Sequence, residues 1–133
     1  MVVHNEEKYI RDALDSIADF VDRIVVIHDG PCTDRTLAIA EEYTDDIRCT
    51  EENHGSAEFI RPRALADIDA DWVLVLDADE RLSPNLQRVL QSLTDDSSAD
   101  SYGFSWPYVD ETHRRISQRS LAGKRFLYRR SMM

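Results

Sequence analysis

The sequence predicts an α/β protein built on a parallel sheet, and two observations support this prediction. Short apolar runs typical of buried strands alternate with segments of helical periodicity four times before Leu93. The run from Trp72 to Leu76 has five consecutive apolar residues, as expected for a strand buried on both faces of a sheet. In strand–helix–strand units a helix joins two parallel strands through a right-handed connection and packs on the sheet. We therefore expect parallel strands with helices on the faces of the sheet.

The opening segment predicts a short strand and an amphipathic helix. Residues 1–4 form the strand, and Asn5 is suited to cap the helix that follows. Glu6 and Glu7 would then lie in the first turn, where the helix dipole favours acids. Apolar residues recur at helical spacing and predict the buried face: Ile10, Leu14, Ile17 and Ala18.

Two further strand–helix pairs follow. Residues 24–27 predict a buried strand that ends in turn formers at 28–31, and Thr33 or Asp34 can cap the next helix. Residues 46–50 predict a short strand, and residues 61–68 predict a helix with Pro62 in its first turn. The buried face of the helix after Asp34 should contain Leu37, Ala40 and Tyr43.

After the strand at residues 72–76, Ser83 and Pro84 have the order of a cap residue followed by a first-turn proline. The helix that they begin should bury Leu86, Val89, Leu90 and Leu93. Beyond Asp100, two later strands are predicted around residues 102–106 and 125–128.

The composition is that of an acidic, soluble, single-domain protein. Of 133 residues, 42% are hydrophobic, and 26 acids against 16 basic residues give a formal net charge of −10. This charge argues against a nucleic-acid partner. Residues 113–130 are an exception, with seven basic residues and no acid. This basic segment is a solvated face, a docking face such as that of an oligomer, or a contact for an anionic acceptor or a membrane surface.

No apolar run approaches the roughly 20 residues that span a bilayer, and no signal peptide is recognisable. Cys32 and Cys49 lack redox or metal-binding spacing, so reduced thiols are expected. We therefore expect a cytoplasmic location.

Acids follow the predicted strands where the strands end. Asp77 and Asp79 follow residues 72–76, Asp29 follows residues 24–27, and acids also follow the first strand. Ligands of open α/β sheets bind at these carboxyl ends. Clustered carboxylates repel one another unless a cation lies between them, and hard oxygen ligands suit Mg²⁺, Mn²⁺ or Ca²⁺. The sequence thus predicts a divalent-cation site, with acidic turns that cap helices as the alternative.

Arg61 is the cationic counterpart of these acids. Its guanidinium could bind a diphosphate through paired hydrogen bonds, or it could form a salt bridge with one of the acids. The four histidines have no zinc-site spacing. No motif of serine hydrolases, P-loop NTPases or dinucleotide enzymes occurs.

Taken in order, these motifs resemble those of the family 2 glycosyltransferases. The resemblance covers residues 2–84 and rests on four segments. Residues 3–7 match the opening segment of the family, and residues 24–34 match its strand followed by D-D-G-S-T-D. Arg61 occupies the position of the family's Arg-Asn pair, and residues 72–80 match its D-x-D strand. It implies a Rossmann-like GT-A fold with a mostly parallel central sheet, incomplete here. Residues 1–133 would form one domain, with residues 1–95 as the nucleotide-sugar-binding half and residues 96–133 beginning the acceptor-side half.

The resemblance also implies metal-dependent transfer of a sugar from a nucleotide-diphospho-sugar, usually a UDP-sugar, to a saccharide, lipid or protein acceptor. Asp29 would contact the nucleoside, Asp77 the ribose or the water shell of the metal, and Asp79 the Mn²⁺ or Mg²⁺ that bridges the donor phosphates. The implied donor-binding set also contains His4, Asn5, Glu7 and Arg61.

The chain departs from the family pattern at three places, which bear on nucleoside preference: His28 replaces an acid, Pro31 and Cys32 replace small residues, and Pro62 replaces asparagine. No catalytic base is assigned, because nothing ties Asp110 or Glu111 to that role. The alternatives are a non-catalytic nucleotide-sugar binding module, a Mg²⁺-binding receiver domain of a two-component system and a phosphatase of the haloacid dehalogenase type.

Overall fold

The computed structural model of the chain describes residues 1–95, 98–110, 112, 115–117 and 125–132. The fold consists of two compact units. The first unit comprises Met1–Asp69 and Val75–Asp96, and the second comprises Ala70–Leu74 and Ser97–Met133.

A three-stranded parallel sheet organises the first unit. Its strands are β1 (Val2–Val3), β2 (Val26–His28) and β3 (Ile47–Cys49). They hydrogen-bond in the order β1-β2-β3, and all three residues of the central strand β2 are buried. Because the strands are parallel, the loops that follow them meet at one edge of the sheet.

Four helices belong to this unit: α1 (Ile10–Asp15), α2 (Thr36–Ala40), α3 (Ala57–Ala66) and α4 (Pro84–Asp95). Ile10 and Leu14 of α1 are fully buried. Ile60 and Ala64 of α3 pack with Ile27 of β2 in one core cluster. The alternation of strands and helices predicted for this part of the chain is therefore confirmed.

The prediction that Asn5 caps the first helix is wrong. Helix α1 begins at Ile10, and its N-cap residue, Tyr9, makes no capping hydrogen bond with its side chain. Asn5 instead adopts a left-handed conformation with φ 52°, which asparagine tolerates better than most residues. Its side-chain oxygen accepts a hydrogen bond from the backbone N–H of Thr33 at 2.8 Å. A contact distant in sequence thus replaces the local cap.

The predicted start of the third helix is also wrong. Helix α3 begins at Ala57, and the Ser56 hydroxyl caps it by accepting the N–H of Glu58 at 3.3 Å. Pro62 therefore lies inside the helix rather than in its first turn. Proline has no N–H, so the helical hydrogen bond to the carbonyl of Glu58 is missing at this point.

Three of the predicted helix faces need correction. In the first, Ala18 is exposed and Ala13 is buried, because the helix ends at Asp15. In the second, the buried residues are Thr36, Ile39 and Ala40, whereas Leu37 is only partly buried and Tyr43 lies beyond the end of α2. In the last, Leu90 is buried, whereas the side chain of Val89 is 45% exposed. Helical spacing alone does not locate the centre of a buried face.

The second unit contains an antiparallel sheet of β4 (Trp72–Leu74), β5 (Ser101–Gly103) and β8 (Arg125–Arg129), with β8 in the centre. A separate hairpin pairs β6 (Tyr108–Val109) with β7 (Arg115–Ser117). The strand predicted at residues 72–76 is thus present but shorter, and its hydrogen-bonded partner is β8, not a parallel strand. The strands predicted near residues 102 and 125 are confirmed.

Aromatic packing supports this antiparallel sheet. The rings of Trp106 and Phe126 stack with centroids 3.8 Å apart, and the Arg129 guanidinium lies 4.6 Å from the centroid of the Trp72 ring. A 3-10 turn, Arg130–Met132, follows β8. Much of the basic segment, residues 113–130, lies outside the described residues, as does Glu111. No helix within the described part of the chain is long and apolar enough to cross a membrane.

Candidate functional site

The loop after β2 places Asp29 in a buried polar pocket, where its side chain is only 5% exposed. The backbone N–H of His54 donates to both carboxylate oxygens, at 3.0 and 2.9 Å. The ring nitrogen Nδ1 of His54 lies 2.8 Å from Oδ1, and the Thr50 hydroxyl donates to the same oxygen at 3.0 Å. Burial raises the pKa of the Asp29 carboxyl, but these hydrogen bonds outweigh burial and hold the pKa below its ordinary value.

Gly30 allows the loop after β3 to approach this pocket. Its φ is +81°, and a Cβ at this position would lie 2.9 Å from both the Cβ and the backbone nitrogen of Asn53. Its N–H donates to the Thr50 hydroxyl oxygen at 2.7 Å. A side chain at position 30 would thus force the loop that carries His54 away from Asp29.

Two histidines connect the ends of β1 and β2. His28 is fully buried, with Nδ1 2.7 Å from the Gly30 carbonyl oxygen, and its Nε2 accepts the N–H of Asn5 at 3.3 Å. His4 contacts the carbonyl oxygen of Asp29 through Nδ1, and its Nε2 lies 3.1 Å from the side-chain nitrogen of Asn53. The predicted site residues His4 and Asn5 therefore hold neighbouring strand ends together.

Asp34 and Glu7 connect the end of β1 to the start of α2. The Asp34 carboxylate accepts the N–H of Thr36 at 2.8 Å and the N–H of Glu7 at 3.1 Å. Burial opposes ionisation, but the hydrogen bonds from Thr36 and Glu7 outweigh it and lower the pKa of Asp34 to about 2. The Glu7 carboxylate in turn accepts the N–H of Arg35 at 3.0 Å.

A closed turn holds the acids that follow Leu76. The N–H of Asp77 donates to the Glu80 carboxylate at 3.0 Å, and the N–H of Glu80 donates to the Asp77 carbonyl at 3.0 Å. Glu80 is buried and fixes the shape of the turn, while Asp79 is exposed. The Arg61 guanidinium bridges the Asp77 carboxylate at 2.9 Å and Glu58 at 2.6 Å. The salt bridge that we considered for Arg61 is therefore present, and Asp77 is its partner.

The Glu6 carboxyl, just after β1, is influenced by the acids of this turn. Burial raises the pKa of the Glu6 carboxyl, and the carboxylates of Asp79, Asp34 and Asp77 raise it further, while His4 opposes them. Carboxylates from three loops thus lie close enough to repel one another.

Within the described residues, no three histidine, cysteine or acidic side chains are placed to hold a metal ion by themselves. The acids at Asp77 and Asp79 still fit a Mg²⁺-like ion, because such ions are usually held by one or two carboxylates together with substrate phosphates and water. Asp29 does not belong to this acidic group, since its carboxylate is bonded to His54 and Thr50.

Two residues of the site were not among those predicted. Glu6 was interpreted only as a first-turn acid, although it lies among the other acids. His54 lies between the strand predicted at residues 46–50 and the helix predicted at residues 61–68 and was given no role, although its side chain contacts a buried aspartate. The position of His54 just beyond the third parallel strand is the signal that could have identified it.

Solved structures share this fold. The crystal structure of S. aureus TarS 1-349 in complex with UDP superposes with a TM-score of 0.70 at 24% identity, covering 98% of this chain and 46% of that one. The complex of the same protein with UDP-GlcNAc gives a TM-score of 0.69 at 24% identity, covering 98% and 44%. At this identity the likeness concerns the fold, which agrees with the predicted GT-A architecture.

Curated proteins are also similar in sequence. A TPR repeat-containing protein of Synechococcus elongatus is 36% identical over 101 residues, which are 74% of this chain and 24% of that protein. An uncharacterized glycosyltransferase of Rickettsia felis is 29% identical over 111 residues, which are 77% of this chain and 35% of that protein. The chain thus spans a quarter to a third of these relatives.

The sequence profile of glycosyl transferase family 2 matches residues 1–133. This match agrees with the order of the four motifs and with the parallel sheet whose strand-end loops carry polar side chains. The receiver-domain and phosphatase interpretations are accordingly wrong. The chain belongs to glycosyl transferase family 2.

Proposed function

We propose that this chain is the donor-binding part of a glycosyltransferase that uses a UDP-sugar together with Mn²⁺ or Mg²⁺. The observation that carries the proposal is the pair of acids after Leu76, of which Asp77 is ion-paired with Arg61 and Asp79 is exposed. Burial raises the pKa of the nearby Glu6 carboxyl, and repulsion from these two acids raises it further. A divalent cation would relieve this repulsion, and a diphosphate would supply the ligands that the protein does not. The UDP and UDP-GlcNAc complexes of S. aureus TarS support the choice of donor.

The two acids after Leu76 have different roles in this proposal. Asp79 is exposed, so its carboxylate is available to bind the cation directly. Asp77 is held by Arg61 and would contact the ribose or a water ligand of the cation. When bound, the cation would stabilise the negative charge that develops on the leaving nucleoside diphosphate.

Arg61 would have two partners in turn. Its side chain is 18% exposed, and its two terminal nitrogens contact Asp77 and the exposed Glu58. Guanidinium groups bind phosphate oxygens through paired, charge-assisted hydrogen bonds. Arg61 would thus orient the acid and also bind the donor diphosphate.

The acceptor and the catalytic base lie outside this proposal. Asp110 accepts hydrogen bonds from the N–H and hydroxyl of Thr112 at 2.8 and 2.7 Å, which explains it as a turn residue. Because the chain spans only part of the length of its relatives, we propose donor binding for these residues and sugar transfer as the reaction that this binding serves.

Calorimetric titration with UDP, with and without MnCl₂, tests the proposal. We expect Mn²⁺ to tighten UDP binding by about tenfold or more, since charge-assisted contacts to phosphate are strong. Asp79→Ala should abolish this gain without changing the melting temperature, because Asp79 is exposed. The control is Asp95→Ala, an exposed acid of α4. Equal UDP affinity with and without metal, or no UDP binding, would refute the proposal.

A further inference from the structure

We infer that His54 recognises the nucleobase of the donor, with its Nε2 accepting a hydrogen bond from the ring N–H of uracil. This inference rests on the proposed function and deepens it, because it assigns nucleoside specificity to a residue outside the motifs. Asp29 then acts as a positioning residue that orients His54.

The hydrogen bonds of the pocket fix the tautomer of His54. The ring nitrogen Nδ1 lies 2.8 Å from Oδ1 of Asp29, which is ionised and can only accept, so Nδ1 carries the proton. In the neutral ring, Nε2 is then an acceptor. Among the described residues, none hydrogen-bonds to Nε2. The His54 side chain is 42% exposed, whereas the Asp29 side chain is 5% exposed.

The location of His54 suits a base-binding residue. Helix α3, which carries Arg61, packs on the core formed by β1 and β2. Strand β3 lies next to β2 in the sheet, and the loop after β3 contains His54. Parallel strands are about 4.8 Å apart, so the loop after β3 lies roughly 10 Å from β1 along the strand-end edge. An extended nucleoside diphosphate has a comparable length between its base and its phosphates.

An acceptor at Nε2 would discriminate among nucleobases. Uracil and guanine present a ring N–H on the edge that pairs with other bases, whereas cytosine and adenine present an unprotonated ring nitrogen. Two acceptors facing each other leave both without a hydrogen bond, which is costly when they are removed from water. His54 should thus favour UDP over CDP.

The pocket leaves little opportunity for Asp29 to read the base directly. Its Oδ1 accepts three hydrogen bonds, and Oδ2 accepts the His54 N–H at 2.9 Å. Direct contact would require His54 to swing away from the carboxylate. The structure therefore favours recognition through the imidazole over recognition by the aspartate itself.

His54→Asn separates these possibilities. An asparagine amide can replace Nδ1–H as a donor to Asp29, but it has no group at the position of Nε2. The backbone N–H at position 54 also continues to bind the carboxylate. The matched control is Glu51→Ala, an exposed residue of the same loop.

The experiment measures calorimetric affinities of the full chain in Mn²⁺ for UDP, 3-methyl-UDP, CDP and GDP, together with melting temperatures. The wild type and Glu51→Ala should bind UDP about tenfold more tightly than CDP or 3-methyl-UDP. His54→Asn should keep its melting temperature and bind UDP, CDP and 3-methyl-UDP within about twofold of one another.

Four other results would contradict the inference or the proposed function. If the wild type binds UDP and 3-methyl-UDP equally, the inference fails without the use of any variant. If His54→Asn keeps the wild-type preference for UDP, Asp29 reads the base and the inference fails, while the proposed function stands. If GDP binds more tightly than UDP, the assignment to uracil is wrong. If the wild type binds no nucleoside diphosphate, the proposed function fails as well.

Discussion

Carboxylates on the two sides of the strand-end edge have opposite surroundings. On the β2–β3 side, Asp29 and Asp34 accept hydrogen bonds from N–H and hydroxyl donors, and the pKa values of both carboxyls are lowered. On the β1 side, burial raises the pKa of the Glu6 carboxyl, and the charges of neighbouring carboxylates, Asp79 foremost, raise it further. All these acids follow strands in the sequence, so the difference comes from the donors that the fold brings to each.

The difference separates structural acids from acids available to a ligand. A carboxylate that is already satisfied by backbone donors stabilises the fold and has little remaining capacity for a cation. A carboxylate that is repelled by its neighbours destabilises the fold slightly and gains most when a cation binds. This contrast is the physical reason for proposing that the phosphates of the donor bind on the β1 side and its base on the β2–β3 side.

Disruption of the β2–β3 side should have the largest effect. We expect Gly30→Ala to lower the free energy of unfolding by about 3 kcal/mol, because alanine is strained at positive φ and its Cβ would collide with the Asn53 backbone. Urea denaturation measures this change. Gly55→Ala is the control, since Gly55 also has positive φ (+76°) but no atom within 4 Å of the added Cβ, and it should cost about 1 kcal/mol. Equal losses in the two variants would contradict the close approach.

The second largest effect should be a pH-dependent loss of stability when the charge of Asp34 is removed. Although burial opposes ionisation, hydrogen bonds lower the pKa of Asp34 from its ordinary value of 3.8 to about 2 in the folded chain. Its ionised form therefore stabilises the fold above pH 4, and this contribution is lost as the pH falls toward 2. Asp34→Asn should therefore cost about 2 kcal/mol at pH 7 and almost nothing near pH 2. Urea denaturation across this pH range, with the exposed Asp19→Asn as control, checks the result. A cost that is independent of pH would mean that the hydrogen bonds, not the charge, matter.

The smallest effect should come from the β1 side and have the opposite sign. Glu6→Gln removes one of the repelling charges, so it should raise the free energy of unfolding by about 0.5 kcal/mol at pH 7. The gain should shrink in acid, because wild-type Glu6 is then protonated. The same variant should weaken the effect of Mn²⁺ on UDP binding. Thermal unfolding of Glu6→Gln beside Glu41→Gln, an exposed acid, tests the sign, and destabilisation by the first variant would contradict the contrast.

Much of the fold and the acidic site could be predicted because the signals are local. The apolar run of β2 and the acid after it are contiguous in the chain, and the rule that parallel strands end at one edge brings distant acids together. Arg61 and Asp77 were both proposed for the site, and they form an ion pair at 2.9 Å. The roles of these residues toward a ligand remain predictions.

The features that could not be predicted depend on contacts distant in sequence. An apolar run at residues 72–76 does not encode its partner, so the antiparallel pairing of β4 with β8 was missed. The cap preference of Asn5 was overridden by its hydrogen bond with Thr33. The position of His54 beyond a parallel strand indicates the ligand-binding edge, but no local pattern indicates that a buried aspartate will orient its ring.

The loop after β3 is anchored to Asp29 through the main-chain amide of residue 54, which every amino acid except proline supplies. The side chain at this position can consequently be exchanged with little effect on the backbone that presents it. Altered donor preference could therefore arise by one codon change, and saturation mutagenesis of position 54 is a direct route to engineered variants with new nucleotide selectivity.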